Sequence, residues 1–282
     1  MTLPPIPAHD PDFAPHPDGA PHPDVPPPDG DWMVEAIDLV KTYGEFEAVK
    51  GLTLRVRRGE IFGFLGPNGA GKTTTIRILT GLLQPTSGVV RIGGHDLATD
   101  SLAARAITSL IPDTPYLYDK LTGREFIHFV AGLYGTPPDV AERRMAELLD
   151  VFDLTDRADD LIEGYSHGMR QKTLMIAALV HDPKVLFLDE PTVGLDPRSA
   201  KLMRDVYRQL AARGTTILLS THILEIAERM CDRIGIIDHG ELIALGTMDE
   251  LRHLAAHHAT LEDIFLELTG GSAFAEIARV LE

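Results

Sequence analysis

The chain has 282 residues, 44% apolar and 24% charged, a balance that suits one or two globular domains whose core needs no disulfides. Its formal net charge of −16 argues against a general nucleic-acid surface, which needs Lys and Arg to displace counterions from phosphates. The single cysteine, Cys231, can form no intramolecular disulfide and is expected to be a small apolar residue buried behind a helix. No apolar run nears the ~18–20 residues that span a bilayer, and the N-terminus lacks a charged-then-apolar leader, so if the chain works at a membrane something else is expected to hold it there.

Residues 1–31 are crowded with Pro, Asp and His and hold no Lys or Arg. Such a stretch buries too little apolar surface to offset the entropy of ordering it, and is expected to be a disordered or polyproline-like tail. From Trp32 onward the pattern becomes that of a folded domain. Met33–Leu39 and Leu52–Val56 alternate as strands, and Ile61–Leu65 is a short apolar strand running into a Gly-rich turn. Thr73–Leu83 predicts a helix and Val89–Ile92 a further strand. Between about Leu121 and Leu154 the period turns helical, with Phe126, Phe129, Val130 and Leu133 on one face and Met145, Leu148, Leu149 and Phe152 on the next. Helix resumes after Ser166. Val185–Leu188, Thr215–Ser220 and Ile234–Asp238 predict strands, the last joined to Glu241–Ala244 through His239-Gly240. Pro197–Ala212 and Ile223–Met230 predict helices, and Met248 onward is helical to a break at Gly270-Gly271. Strands alternating with helices give an α/β sheet with an inserted helical block.

Gly66-Pro67-Asn68-Gly69-Ala70-Gly71-Lys72-Thr73 fits the P-loop pattern, between a strand and a helix as that pattern requires. The glycines let backbone N–H groups wrap a phosphate, and the helix that follows offers orphan N–H groups and a favourable dipole. Lys72 is expected to reach the β- and γ-phosphates, Thr73 to place its hydroxyl on Mg²⁺, and Thr74 to touch a phosphate. Val185–Leu188 ends in Asp189 and Glu190. Ligands collect at the C-terminal ends of parallel strands, so Asp189 is expected to hold Mg²⁺ and Glu190 to take a proton from an attacking water.

Further residues narrow the family. Tyr165-Ser166-His167-Gly168-Met169-Arg170-Gln171-Lys172 precedes the Asp189-Glu190 strand, Gly194-Leu195-Asp196-Pro197 follows it, and Ser220-Thr221-His222 closes the next strand. In order and spacing these resemble the signature, D-loop and switch histidine of ATP-binding cassette (ABC) proteins, and Tyr43 lies where that family stacks an aromatic on adenine. Ser166 and Asp196 are also good helix N-caps, a role compatible with binding phosphate. The resemblance covers roughly residues 33–246. It implies a P-loop NTPase (RecA-like) core sheet with an antiparallel β subdomain and an inserted α-helical subdomain at about 114–180, followed by a helical extension over 247–282. It also implies an ATPase that uses ATP and Mg²⁺. Two cassettes, as a homodimer, would pair head to tail with Ser166 and Gly168 of one facing the P-loop of the other, and His222 would contact the γ-phosphate.

Two features depart from the family pattern. Asp113 stands where a Gln usually meets Mg²⁺ and the membrane subunit, and the signature carries His167 and Met169 in place of Gly and Gln. The loop Pro115–Gly123 and the tail Leu261–Gly270 resemble single-cassette subunits that serve drug, lipid or polysaccharide exporters, which places the chain on the cytoplasmic face of the membrane beside integral membrane subunits. Tyr116, Leu117 and Tyr118 are expected to form an apolar groove for a short helix of that partner. An importer subunit shares the same core. A non-transport ABC ATPase is disfavoured by the single P-loop, the single cysteine and the acidic balance.

Overall fold

The computed structural model describes residues 32–114, 116–191, 196–254 and 260–269. The Pro/Asp/His-rich tail, Pro115, Gly194 and Leu195, and the Gly270-Gly271 break lie outside the described residues.

Along the chain run β1 (Trp32–Tyr43), β2 (Phe46–Arg57), β3 (Ile61–Leu65), α1 (Lys72–Leu79), β4 (Ser87–Ile92), β5 (His95–Asp96), α2 (Ser101–Ala106) and β6 (Thr108–Ile111). Then come α3 (Gly123–Leu133), α4 (Pro138–Val151), α5 (His167–Leu179), β7 (Val185–Asp189), α6 (Pro197–Ala212), β8 (Thr216–Thr221) and α7 (Leu224–Met230). The chain continues through β9 (Arg233–Asp238), β10 (Glu241–Gly246), α8 (Met248–Leu254) and α9 (Leu261–Leu268). The first helix is shorter than its apolar pattern predicts: Thr80 caps it and Gly81, at φ 70°, takes the left-handed turn that ends it. β1 and β2 run longer than expected, because their alternation continues down to a tight turn at Gly44-Glu45 where Tyr43 pairs with Phe46.

Two sheets form. One is antiparallel, in the order β2-β1-β4-β5, and the other runs β10-β9-β3-β8-β7-β6. In the second sheet β3 pairs in parallel with β8 and β9, and β7 in parallel with β6 and β8, while β10 is antiparallel to β9. Every residue of β3, β7 and β8 is buried, as expected for parallel strands covered on both faces. One apolar core lies between the two sheets around α1, where Val34, Leu52, Leu54, Phe64 and Ile76 meet. A second joins the other face of the parallel strands to the α3–α5 block and α6, around Met145, Phe152, Ile176, Leu188 and Tyr207. A third, smaller core seats α9 through Leu261 and Ile264 against Ala227, Ile234 and Ile236. Cys231, half-buried, ends α7 with its sulfur against Gly63, and burial pushes its thiol well above the ordinary range.

The consequence for the site is one of direction. Because β3, β7 and β8 are parallel neighbours, the loops after them leave the same edge, and the turns at Gly66, Glu190 and His222 converge there.

Candidate functional site

A cleft of about 420 Å³ opens at that edge, lined by Tyr43, Phe46, Ala48, Asn68, Gly69, Gly71, Lys72, Thr73, Thr74, Asp113, Asp189 and Glu190. The loop after β3 forms its floor. Gly71 precedes α1 at φ 106°, and a Cβ there would stand 2.5 Å from the Ala48 carbonyl oxygen, so only glycine fits. No side chain caps α1 and no acid sits in its first turn, which leaves its N–H groups for an anion. Gly66, Pro67 and Ala70 form the back of the loop. The Lys72 ammonium donates to the Gly66 and Pro67 carbonyls at 2.6 and 3.0 Å, and Gly240 N–H donates to the Ala70 carbonyl at 3.0 Å. Burial lowers the Lys72 ammonium from its ordinary value, against the opposing pull of the Glu190 and Asp189 charges.

The acidic wall comes from β7. Asp189, nearly buried, accepts from the Thr73 hydroxyl at 3.1 Å through one oxygen and from the Ser220 hydroxyl through the other. Glu190 turns out of the sheet in a left-handed conformation, φ 50°, with its N–H donating to the Ser220 carbonyl at 3.0 Å. Its carboxylate lies 2.8 Å from His222 Nδ1 and 3.4 Å from the His222 backbone nitrogen. The ring therefore holds Glu190 with one nitrogen and presents Nε2 on its opposite edge.

The expected residues thus divide into three groups, the first of which, Gly66, Pro67 and Ala70, is in the loop but not in the cleft lining. Tyr43, Asn68, Gly69, Gly71, Lys72, Thr73, Thr74, Asp113, Asp189 and Glu190 share the cleft, with His222 joined to it through Glu190. Ser166, Gly168 and Asp196 do not line it. Ser166 caps α5 by accepting from Met169 N–H at 3.3 Å, and beyond Gly168 is open space. Asp196 caps α6, accepting from Arg198 N–H, Ser199 N–H and the Ser199 hydroxyl, bonds that hold its carboxyl below the usual carboxylate range. Leu117 departs from expectation: it packs against the helical core, while Tyr116 and Tyr118 remain exposed. Phe46 and Ser220 are additions. Phe46 is marked in the sequence only as an aromatic just past the turn from Tyr43, and Ser220 only by its place before His222.

Thr73, Asp189 and Asp113 offer hard oxygen donors on one cleft, a set that fits Mg²⁺ held by one or two carboxylates together with phosphates. Among the described residues no cluster of three His, Cys, Asp or Glu side chains forms a self-sufficient metal cage.

The model of the ABC transporter family matches residues 49–193. The linearmycin resistance ATP-binding protein LnrL of Bacillus subtilis (strain 168) is 42% identical over 219 residues, covering 78% of this chain and 70% of the relative. The Nod factor export ATP-binding protein I of Ralstonia nicotianae (strain ATCC BAA-1114 / GMI1000) is 41% identical over 213 residues, covering 76% of this chain and 66% of the relative. Among solved structures, an ATP-binding subunit of an ABC transporter superposes with a TM-score of 0.81 at 37% identity, covering 84% of this chain and 99% of that one. A dimeric bacterial ABC transporter cassette matches with a TM-score of 0.70 at 25% identity, covering 77% of this chain and 99% of that one.

Proposed function

The chain belongs to the ABC transporter family, and we propose that it is the ATPase of an exporter whose membrane-spanning part is a separate chain. It is an ATP-binding and ATP-hydrolysing protein of that family. The observation that carries the site assignment is the meeting of Lys72, Thr73, Asp189 and Glu190 on one cleft beside an uncapped helix N-terminus.

In this reading the loop Gly66–Thr73 wraps the β- and γ-phosphates with its N–H groups, and Lys72 moves its ammonium from the Gly66 and Pro67 carbonyls onto phosphate oxygens. Tyr43 stacks on the base, with Phe46 and Ala48 beside it. Thr73, Asp189 and Asp113 would hold Mg²⁺, which when bound supplies positive charge against the phosphates. Ser220 fixes the Asp189 carboxylate so that its other oxygen stays directed at Thr73. Glu190 takes the proton of the attacking water, and His222, joined to Glu190 through Nδ1, orients that carboxylate and leaves Nε2 for the γ-phosphate.

Ser166 and Gly168 lie outside the cleft, so a complete site takes the exposed N-terminus of α5 from a second cassette. A two-fold pair makes both sites complete by the same contact. No helix among the described residues is long and apolar enough to cross a membrane. Attachment to the cytoplasmic face then depends on partner subunits, with Tyr116 and Tyr118 offered at the edge of the helical block. Support for export over import comes from the relatives named for resistance and for Nod factor export.

The test is to purify the tagged chain from gently solubilised membranes of its own source. A multi-spanning membrane protein in stoichiometric amount is expected, and ATP should drive cargo away from the cassette side in vesicles carrying the pair. Recovery without any membrane partner overturns the transporter role, and ATP-driven movement toward the cassette side overturns export.

A further inference from the structure

In the segment from Tyr116 to Thr122, the residues from Asp119 onward are bonded to the stretch that leads into α5. Glu163 N–H donates to the Asp119 carbonyl at 3.1 Å, Ile162 N–H to the Leu121 carbonyl at 2.9 Å, and Thr122 bridges Leu161. Side chains add to this: Lys120 pairs with Glu163, and Arg170 donates to Asp119 Oδ1 at 2.7 Å. At its other end the segment is anchored by Tyr118, whose ring meets Phe129 and Phe126 edge-on at 5.6 and 6.2 Å, and by the Thr122–Glu125 capping box that starts α3. The result is a short strut between two helix N-termini.

Of these contacts only the Arg170 pair reaches α5 itself. Arg170 sits one turn inside that helix, whose first turn contains no acid, so a cation stands near the positive end of the helix dipole. Asp119 compensates this charge from outside the helix and fixes the guanidinium sideways. The pair is partly exposed, with side-chain accessibilities of 25% for Arg170 and 55% for Asp119. Exposed pairs contribute little to folding stability, so this contact can be removed without loss of the fold.

We infer that Asp119 is a positioning residue: through Arg170 it fixes the direction in which α5 presents Ser166 and Gly168 to the partner cassette. The inference rests on the head-to-tail pairing proposed above. It adds that the orientation of the helix is set by a residue of the strut, not by α5 alone.

The test is a double-mutant cycle on the full chain with Asp119→Ala, Arg170→Ala and the double variant, and with Asp119→Glu as the conservative control. Three quantities are read: nucleotide affinity, melting temperature, and the protein concentration at which specific ATPase activity is half-maximal. Nucleotide affinity and melting temperature should stay near wild type, because the cleft and cores are untouched. The half-maximal concentration should rise about three- to tenfold in either single variant, a modest coupling between contacting side chains. The double variant should be no worse than either single, and Asp119→Glu should restore most of the loss. An unchanged half-maximal concentration in Asp119→Ala, or losses that add in the double variant, overturns the positioning role while leaving paired cassettes intact. A wild-type chain that hydrolyses ATP while remaining monomeric across the assayed concentrations overturns the pairing itself, and the inference with it.

Discussion

Glu190 is held in a left-handed backbone conformation that costs a non-glycine residue about 1–3 kcal/mol, and its N–H bond to Ser220 keeps it there. The strain turns the carboxylate off the axis of β7, toward His222 and away from Asp189, so that two adjacent acids do different work. Replacing Glu190 with Gln keeps the shape and removes the base. Single-turnover hydrolysis should slow by about 10²–10⁴ while ATP still binds with near wild-type affinity. Near-normal turnover would remove Glu190 from the mechanism. Lys72→Ala acts earlier: it deletes the buried cation proposed to meet the phosphates, so ATP affinity itself should fall, as read by equilibrium binding. An affinity equal to wild type would contradict the phosphate role.

At the scale of elements, the α3–α5 block meets the core at a small aromatic joint. Tyr134, at the end of α3, stacks on His181, just past α5, with ring centroids 3.5 Å apart and 10° between planes. The Tyr134 hydroxyl donates to the Thr108 carbonyl of β6 at 3.1 Å. Both His181 nitrogens are buried without a hydrogen-bond partner among the described residues, and burial lowers the imidazole from 6.5 to about 4, outweighing the opposing pull of the Asp182 charge. The unfolded chain takes up a proton near pH 6.5 that the folded joint refuses until about 4. The stability this neutral imidazole supports is therefore complete above pH 6.5 and is lost as the pH falls toward 4. His181→Phe, which keeps a ring against Tyr134, should flatten the fall in melting temperature across that window. An unaltered pH slope would show that the joint does not titrate as described.

At the scale of the whole molecule, Glu190 lines the cleft while Ser166 and Gly168 lie outside it, which is the arrangement that the proposed head-to-tail pairing requires. A Cβ added at Gly168 meets nothing within 4 Å, and Gly168→Asp should therefore fold while blocking the approach of a partner's nucleotide. Gly168→Asp and Lys72→Ala chains should each be inactive alone. Mixed, they should recover roughly a quarter of wild-type ATPase, because random pairing of two-fold partners gives half mixed pairs with one intact site each. No recovery in the mixture would argue for a site complete within one chain.

Much of this was legible before the fold was known. The P-loop, the apolar strand ending in Asp189-Glu190, and the caps Ser166 and Asp196 are local features, since their chemistry depends on spacing within a few residues and on the turn or strand they occupy. Most of the strand and helix order followed from periodicity for the same reason, but β5, α2 and β6, all between Ile92 and Leu121, were not marked by it. Tertiary structure alone decided what depends on contacts between distant segments. It brought Ser220 onto Asp189, joined His222 to Glu190, carried Phe46 across the β1–β2 turn into the cleft, turned Leu117 into the helical core, and fastened Asp119 to Arg170. No spacing rule ties such residues together. The parallel order of β3, β8 and β7 does, by ending three strands at one edge, where backbone turns can meet.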